Sequence, residues 1–319
     1  MMSVQQGGDS STSDAPMLLR RLRDSGPVIH RFSVGRLDCA VVSDGQPAPP
    51  LRPPLAEFFT PGSGVPAAEL HAAIDAEKAG ETTLTCGYNC LLVGTAAGDA
   101  VIDTGLGARF LGYGPQIEPL VGQLPGRLAE AGSGVSRLAA VVFSHLHQDH
   151  SRGAAWSGEL TFPAATGYAH AAEVAFWTGA AGPAADDPHT ESARAAIRLL
   201  GTRLRAFEYD TEILPGVRTV GAAGHTPGHT ALLVESAGER LLCLADSFYD
   251  PLQLSHPHWS TPWDHDAAAA IESRRRLLDL AAAERLLVHA YHLPFPGLGQ
   301  VRRQAGGYRW DPLPAGQGG

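Results

Sequence analysis

The chain has 319 residues, 44% of them hydrophobic and 18% charged, which is enough apolar material to bury a large core. Its 24 basic and 33 acidic side chains leave a formal charge of −9, which argues against a nucleic-acid surface. Four cysteines are too few for a disulfide scaffold, and no apolar run approaches the ~20 residues of a membrane span, so the expected location is the reducing cytoplasm.

In chain order, residues 1–25 are rich in Gly, Ser, Asp and Gln and read as a disordered leader. Strand-like segments follow in two groups. The first covers 28–34, 37–43, 89–93, 100–102 and 138–143; the second covers 204–208, 217–220, 230–234, 240–244 and 285–289. Helical patterns occupy 67–78, 115–131, 171–177, 192–200 and 266–283. Residues 44–66, with seven prolines, and residues 250–264 read as long loops, a length that inside a domain usually means function or mobility. No period of 20–50 residues is visible, which argues against a solenoid. The expectation is an α/β fold, with two β-sheets packed face to face and helices outside. It forms a single domain over 26–312, with a flexible tail at 313–319.

The chemistry is concentrated in His145-Leu-His147-Gln-Asp149-His150, which directly follows the apolar run at 138–143. In an extended segment alternate side chains share a face, so His145 and His147 point the same way. Asp149 and His150 fall where the strand turns and can reach a neighbouring spot, a pattern that suits two adjacent divalent metals. Four further segments end in groups able to bind metal: Ile102-Asp103-Thr-Gly, Gly224-His225-Thr-Pro-Gly-His229, Leu241-Leu-Cys-Leu-Ala-Asp246 and Leu286-Leu-Val-His289-Ala-Tyr-His292. A lone His after a strand is ordinarily a surface or hydrogen-bonded residue. Several strands ending this way around one HxHxDH core reverse that reading.

With these residues the chain resembles the metallo-β-lactamase superfamily, over roughly residues 28–310. The resemblance implies a four-layer αββα sandwich of two mixed β-sheets. It also implies two metal ions per chain: one held by His145, His147 and His225, the other by Asp149, His150 and His292, with Asp246 between them. Asp103 and His229 would support the ligands without binding metal. His292 is preferred to His289 because it leads into Leu-Pro-Phe-Pro-Gly. His256, His258 and His265 read as rim groups, and His30, His71, His170 and His189 as surface residues. The C-terminal motif is similar to that of methyl parathion hydrolase-like members, as are the pocket aromatics Phe110, Phe176 and Trp177, with Phe248 added to the apolar wall. Tyr249, three residues beyond Asp246, matches the spacing of lactonase-like members instead. Ser151-Arg152-Gly153 departs from the two glycines many members carry there.

Two divalent cations lower the pKa of a shared water, polarise the electrophile and stabilise the departing oxygen. Zinc is the default for a His/carboxylate donor set that also admits manganese, iron or cobalt. The expected reaction is hydrolysis of a small, fairly apolar ester or lactone by a metal-bridging hydroxide. Asp149 and Asp246 would hold and orient the nucleophile, and Tyr249 would donate a hydrogen bond to the carbonyl oxygen. The alternatives are a phosphotriesterase and, further off, a metal-dependent oxidoreductase of the same fold. The full second set of ligands argues against the latter, since members using a single iron generally lack it. The expected partner is a small-molecule substrate, with neither nucleic acid nor membrane, and the resemblance implies pairing of the chain as a homodimer.

Overall fold

The computed structural model describes residues 27–47, 52–107, 120–156, 158–180, 182–184 and 186–313. The expected leader, residues 115–119 of one expected helix, Phe110, and the tail beyond Leu313 lie outside them. The chain opens with strands β1 (Ile29–Val34) and β2 (Leu37–Gly45), helices α1 (Leu55–Ser63) and α2 (Ala67–Glu77), and strands β3 (Tyr88–Thr95) and β4 (Gly98–Ile102). Next come α3 (Leu124–Glu130), β5 (Leu138–Val142), the single turn α4 (Gln148–Ser151) and the small hairpin β6 (Ala155–Trp156) and β7 (Glu159–Leu160). Strand β8 (Thr166–His170), helices α5 (Ala171–Thr178) and α6 (Pro188–Leu200), and β9 (Leu204–Phe207) complete the first half. The second half runs β10 (Glu212–Leu214), β11 (Val217–Gly221), β12 (Thr230–Ser236), β13 (Glu239–Cys243), α7 (Leu252–Ser255), α8 (Ala267–Glu284), β14 (Leu287–His289), β15 (Leu298–Gln304) and β16 (Gly307–Pro312).

Two seven-stranded sheets result, in the orders β1-β2-β3-β4-β5-β8-β9 and β10-β11-β12-β13-β14-β15-β16. Both are mixed. In the first, β4, β5, β8 and β9 run parallel; in the second, only β13 and β14 do. Period-2 alternation explains the layering. Cys39, Val41, Leu91, Val93 and Val142 on one side meet Leu232, Val234, Leu241 and Cys243 of the other sheet in the central core. The intervening residues Ala40, Val42, Cys90, Leu92 and Val141 face an outer core completed by Phe58, Leu70, Leu128 and Trp177 from the helices. On the opposite face Ala231, Leu242, Leu244 and Val288 pack against Leu277, Leu278 and Ala281 of α8. This is the expected four-layer αββα sandwich.

Several details differ from the sequence-based expectation, among them three that shape the fold. Residues 204–207 pair with β8 at the edge of the first sheet, not with the second group; β8, with a Gly and a His among its five residues, has too little β-branched or alternating character to announce itself. The proline-rich 44–66 segment contains α1, which buries Leu55, Phe58 and Phe59; Pro54 stands as its N-cap and fixes an extended entry. Beyond the Leu-Pro-Phe-Pro-Gly turn, residues 298–304 and 307–312, outside the expected strands, form the hairpin β15–β16.

Candidate metal centre

The ends of β4, β5, β13 and β14 and the β11–β12 turn bring their polar residues to one place. His145, His147, His225 and Asp246 offer ligand atoms all within 4.8 Å of one another, and so do Asp149, His150 and His292. In the first group His147 Nδ1 lies 3.0 Å from His145 Nε2 and 2.9 Å from His225 Nε2. Atoms about 2 Å from one tetrahedral zinc sit about 3.3 Å apart, so these contacts are those of nitrogens converging on a common ion. Asp246 stands between the groups. Its Oδ2 is 3.3 Å from His225 Nε2 and 3.7 Å from His145 Nε2, and its Oδ1 is 3.0 Å from His150 Nε2 and 3.2 Å from His292 Nε2. His150 Nε2 and Asp246 Oδ1 are close, yet neither makes a hydrogen bond of acceptable geometry among the described residues. Two buried polar atoms left in this state at the centre of a ligand cluster are what a cation would satisfy.

The imidazoles are fixed from behind. His145 Nδ1 meets Ser144 Oγ at 3.1 Å, His150 Nδ1 donates to Asp103 Oδ2 at 2.8 Å, His225 Nδ1 donates to Asp264 Oδ1 at 3.0 Å, and His292 Nδ1 donates to Gly87 O at 3.0 Å. In each case Nε2 is left for the centre, the usual way a protein sets the tautomer of a metal ligand. Asp103 does this from a left-handed conformation, φ 60°, a region that Asp tolerates better than most residues; Ser144 N and Oγ satisfy the rest of its carboxylate. His229 acts elsewhere than on a ligand ring: Nδ1 donates to Ala222 O and Nε2 accepts from Asp246 N, which holds the turn bearing Asp246. Gly153 of the Ser-Arg-Gly departure is required, since a Cβ there would lie 1.9 Å from Thr104 O.

Electrostatics divide the two groups. Burial, with neighbouring imidazoles adding to it, holds His145 and His147 well below the ordinary histidine range, so they stand neutral. Burial would also depress His150, but the carboxylates of Asp246, Asp103 and Asp149 outweigh it and carry its imidazole up to about 10. Burial would raise Asp246, yet His150, His292 and His145 hold it well below the usual carboxylate range. The carboxylates thus demand positive charge at the point where the second set of ligands converges.

A cleft opens onto this floor, lined by His147, Asp149, Asp246 and Tyr249 and, on its apolar side, by Pro47, Pro53, Leu84, Tyr88, Leu106, Val121 and Trp263. Tyr249 donates from its hydroxyl to Asp246 Oδ2 at 2.6 Å and lies 3.4 Å from His225 Nε2. Burial and the Asp246 and Asp264 carboxylates push its phenol well above the ordinary tyrosine range.

The expected aromatic wall needs correction. Phe248 is fully buried with Leu242, Leu244 and Leu277 in the core beneath α8, because the tight turn at 245–247 carries the chain past Asp246 and back onto that face. Trp177 lies behind the cleft, edge-on to His147 with ring centroids 5.5 Å apart, and Phe176 packs on His265 at 4.8 Å; neither lines the cleft. Phe110 falls outside the described residues. Two histidines read as surface groups are not. His189 lines the cleft with its ring 4.4 Å from His147, and His170 is buried and accepts from Ala172 N at the start of α5. His289 contacts Cys243 Sγ at 3.2 Å, away from the cluster. Asp264 and Tyr291, whose hydroxyl donates to Asp149 O at 2.6 Å, escaped the sequence reading. A carboxylate closing the 250–264 loop was the one available signal for the first.

A family model, the metallo-beta-lactamase superfamily, matches residues 84–292. An N-acyl homoserine lactonase from Bacillus sp. is 25% identical over 218 residues, 64% of this chain and 80% of that protein. The solved structure of AidC, a dizinc quorum-quenching lactonase in complex with a product, superposes with a TM-score of 0.78 at 25% identity, covering 90% of this chain and 98% of that one. The hydrolase AbOPH shares the fold, with a TM-score of 0.78 at 23% identity over 91% of this chain and 99% of its own. With the family model covering most of the chain and its ligand residues gathered at the strand ends, the chain belongs to the metallo-beta-lactamase superfamily.

Proposed function

We propose that the chain is a binuclear metal-dependent hydrolase that opens small lactones bearing an apolar substituent. One observation carries the reading: the Tyr249 hydroxyl lies 2.6 Å from Asp246 Oδ2 and 3.4 Å from His225 Nε2, at the foot of a cleft with an apolar side. The lactonase activity named for the Bacillus sp. relative and for AidC supports the same class of substrate. His145, His147 and His225 would hold one ion, Asp149, His150 and His292 the other, and Asp246 both; the donor set and the dizinc relative favour zinc. When bound, such a pair supplies a water of lowered pKa and polarises the ester carbonyl.

The side chains then have defined tasks. Asp246, held through its own N–H by His229, orients the nucleophile. Asp149, tied at its backbone carbonyl by Tyr291, keeps its carboxylate at the cleft edge. Tyr249 offers its proton, donated to Asp246 in the free protein, to the carbonyl oxygen as negative charge develops there. Leu84, Val121 and Trp263 would cover the apolar substituent and exclude water. All four cysteines are free and buried, in keeping with a reducing compartment. No helix among the described residues is long and apolar enough to cross a membrane.

The test is turnover of the zinc- and manganese-loaded protein on lactones, aryl esters, thioesters and phosphotriesters. Lactones are expected to give the highest kcat/KM. Faster turnover of phosphotriesters would replace this reading with the organophosphate one, and no turnover of any would overturn it.

A further inference from the structure

Glu173, in the first turn of α5, is fully buried, and no ion pair with it is found among the described residues. Its carboxylate instead takes four hydrogen bonds. Oε1 accepts from Leu146 N at 2.9 Å and from the Trp177 indole Nε1 at 2.6 Å. Oε2 accepts from Thr226 Oγ1 at 2.7 Å and from Gly228 N at 3.0 Å. Leu146 separates His145 from His147, and Thr226 and Gly228 lie between His225 and His229. One side chain therefore ties together the two segments that supply three imidazoles, which are 78 or more residues apart across the join. Gly228 makes the approach feasible: a Cβ there would lie 2.4 Å from Glu173 N. Trp177, held by the same carboxylate, rests edge-on against His147.

We propose that Glu173 is a positioning residue for the His145/His147/His225 half of the metal centre, an inference that rests on the two-metal reading. A buried carboxylate without a cationic partner is expensive to keep unless neighbouring charge offsets it. Two divalent ions in the adjacent cluster would do so, since bound cations are the largest local charges in such a site. A purely structural link between the segments would not need a charged group. The four donors also dictate what a neutral replacement does. In Glu173→Gln the amide oxygen can accept from Leu146 N and Trp177 Nε1, neither of which can reverse its role. The amide NH2 then faces Thr226 and Gly228 N, so the bond to the Gly228 N–H is lost and the His225 turn is the side released.

The experiment is stepwise zinc removal from the loaded parent and from Glu173→Gln by a chelator of known affinity, alongside thermal unfolding of both metal-free proteins. The expected result is one zinc equivalent held roughly 10–100-fold more weakly, the range typical of supporting groups, with the other within about threefold. Equal affinities for both equivalents in the two proteins would overturn the proposal. An equal loss at both would do the same, since that marks a general structural role. If Glu173→Gln does not fold, Thr226→Val, which removes one donor, must weaken one equivalent selectively, and no selective change overturns the proposal. A parent that binds no zinc would defeat the two-metal reading itself, and this inference with it.

Discussion

At Asp246 the two halves of the centre share one carboxylate, and its surroundings explain both its charge and its reach. Four imidazole nitrogens lie within 3.7 Å of its oxygens, and the Tyr249 hydroxyl closes the remaining side. Removing that hydroxyl alone, in Tyr249→Phe, is expected to lower kcat for lactones by about 10²–10³, the usual loss for one oxyanion donor, with both metals retained. Steady-state kinetics with metal analysis checks this; turnover within twofold of the parent would remove Tyr249 from the mechanism. The seven clustered residues were legible in the sequence because imidazoles and carboxylates have few other reasons to gather at the ends of apolar strands. Asp264 and Tyr291 were not, because each reaches its partner across 39 and 142 residues and neither belongs to a local pattern. Phe248 was misplaced for a related reason. Near a turn, sequence neighbours of a ligand face either way, and only packing decides.

Among the elements, α1 connects packing to the site. It lies inside a segment whose prolines suggested a loop, yet Phe58 is buried and packs edge-on against both Phe59 and Tyr249, with centroids 5.0 Å and 5.2 Å away. Phe58→Ala should cost about 3–5 kcal/mol of stability, as buried Phe deletions do, and should raise KM by loosening Tyr249 and Trp263. Denaturant unfolding and kinetics on one preparation measure both; a loss of stability with unchanged kinetics would show that α1 only covers the core. The central strands were readable because their apolar runs are continuous. The short strand β8 and the edge strands β10 and β16 were not, since so few residues carry little hydrophobic period.

For the whole molecule, metal binding is expected to couple to folding. The sandwich brings seven candidate ligands from both sheets into a largely buried cluster, which without cations confines carboxylates with imidazoles that they hold protonated, as at His150. Ligand binding to the folded state adds stability by mass action, about 4 kcal/mol at a thousandfold excess over Kd. At about 2–4 °C per kcal/mol for a chain of this order, removing the metals should lower Tm by roughly 10 °C, and zinc should restore it. A thermal scan with and without chelator measures this, and an unchanged Tm would argue that the cluster holds no structural metal.

The most direct measurement is proton release during hydrolysis of a small lactone with an apolar substituent by the zinc-loaded protein, because ring opening yields a carboxylic acid. Release with kcat/KM of about 10⁴ M⁻¹s⁻¹ or more is expected, abolished by chelation and restored by zinc. Release no faster than in the chelated control would contradict the metal-dependent lactonase reading.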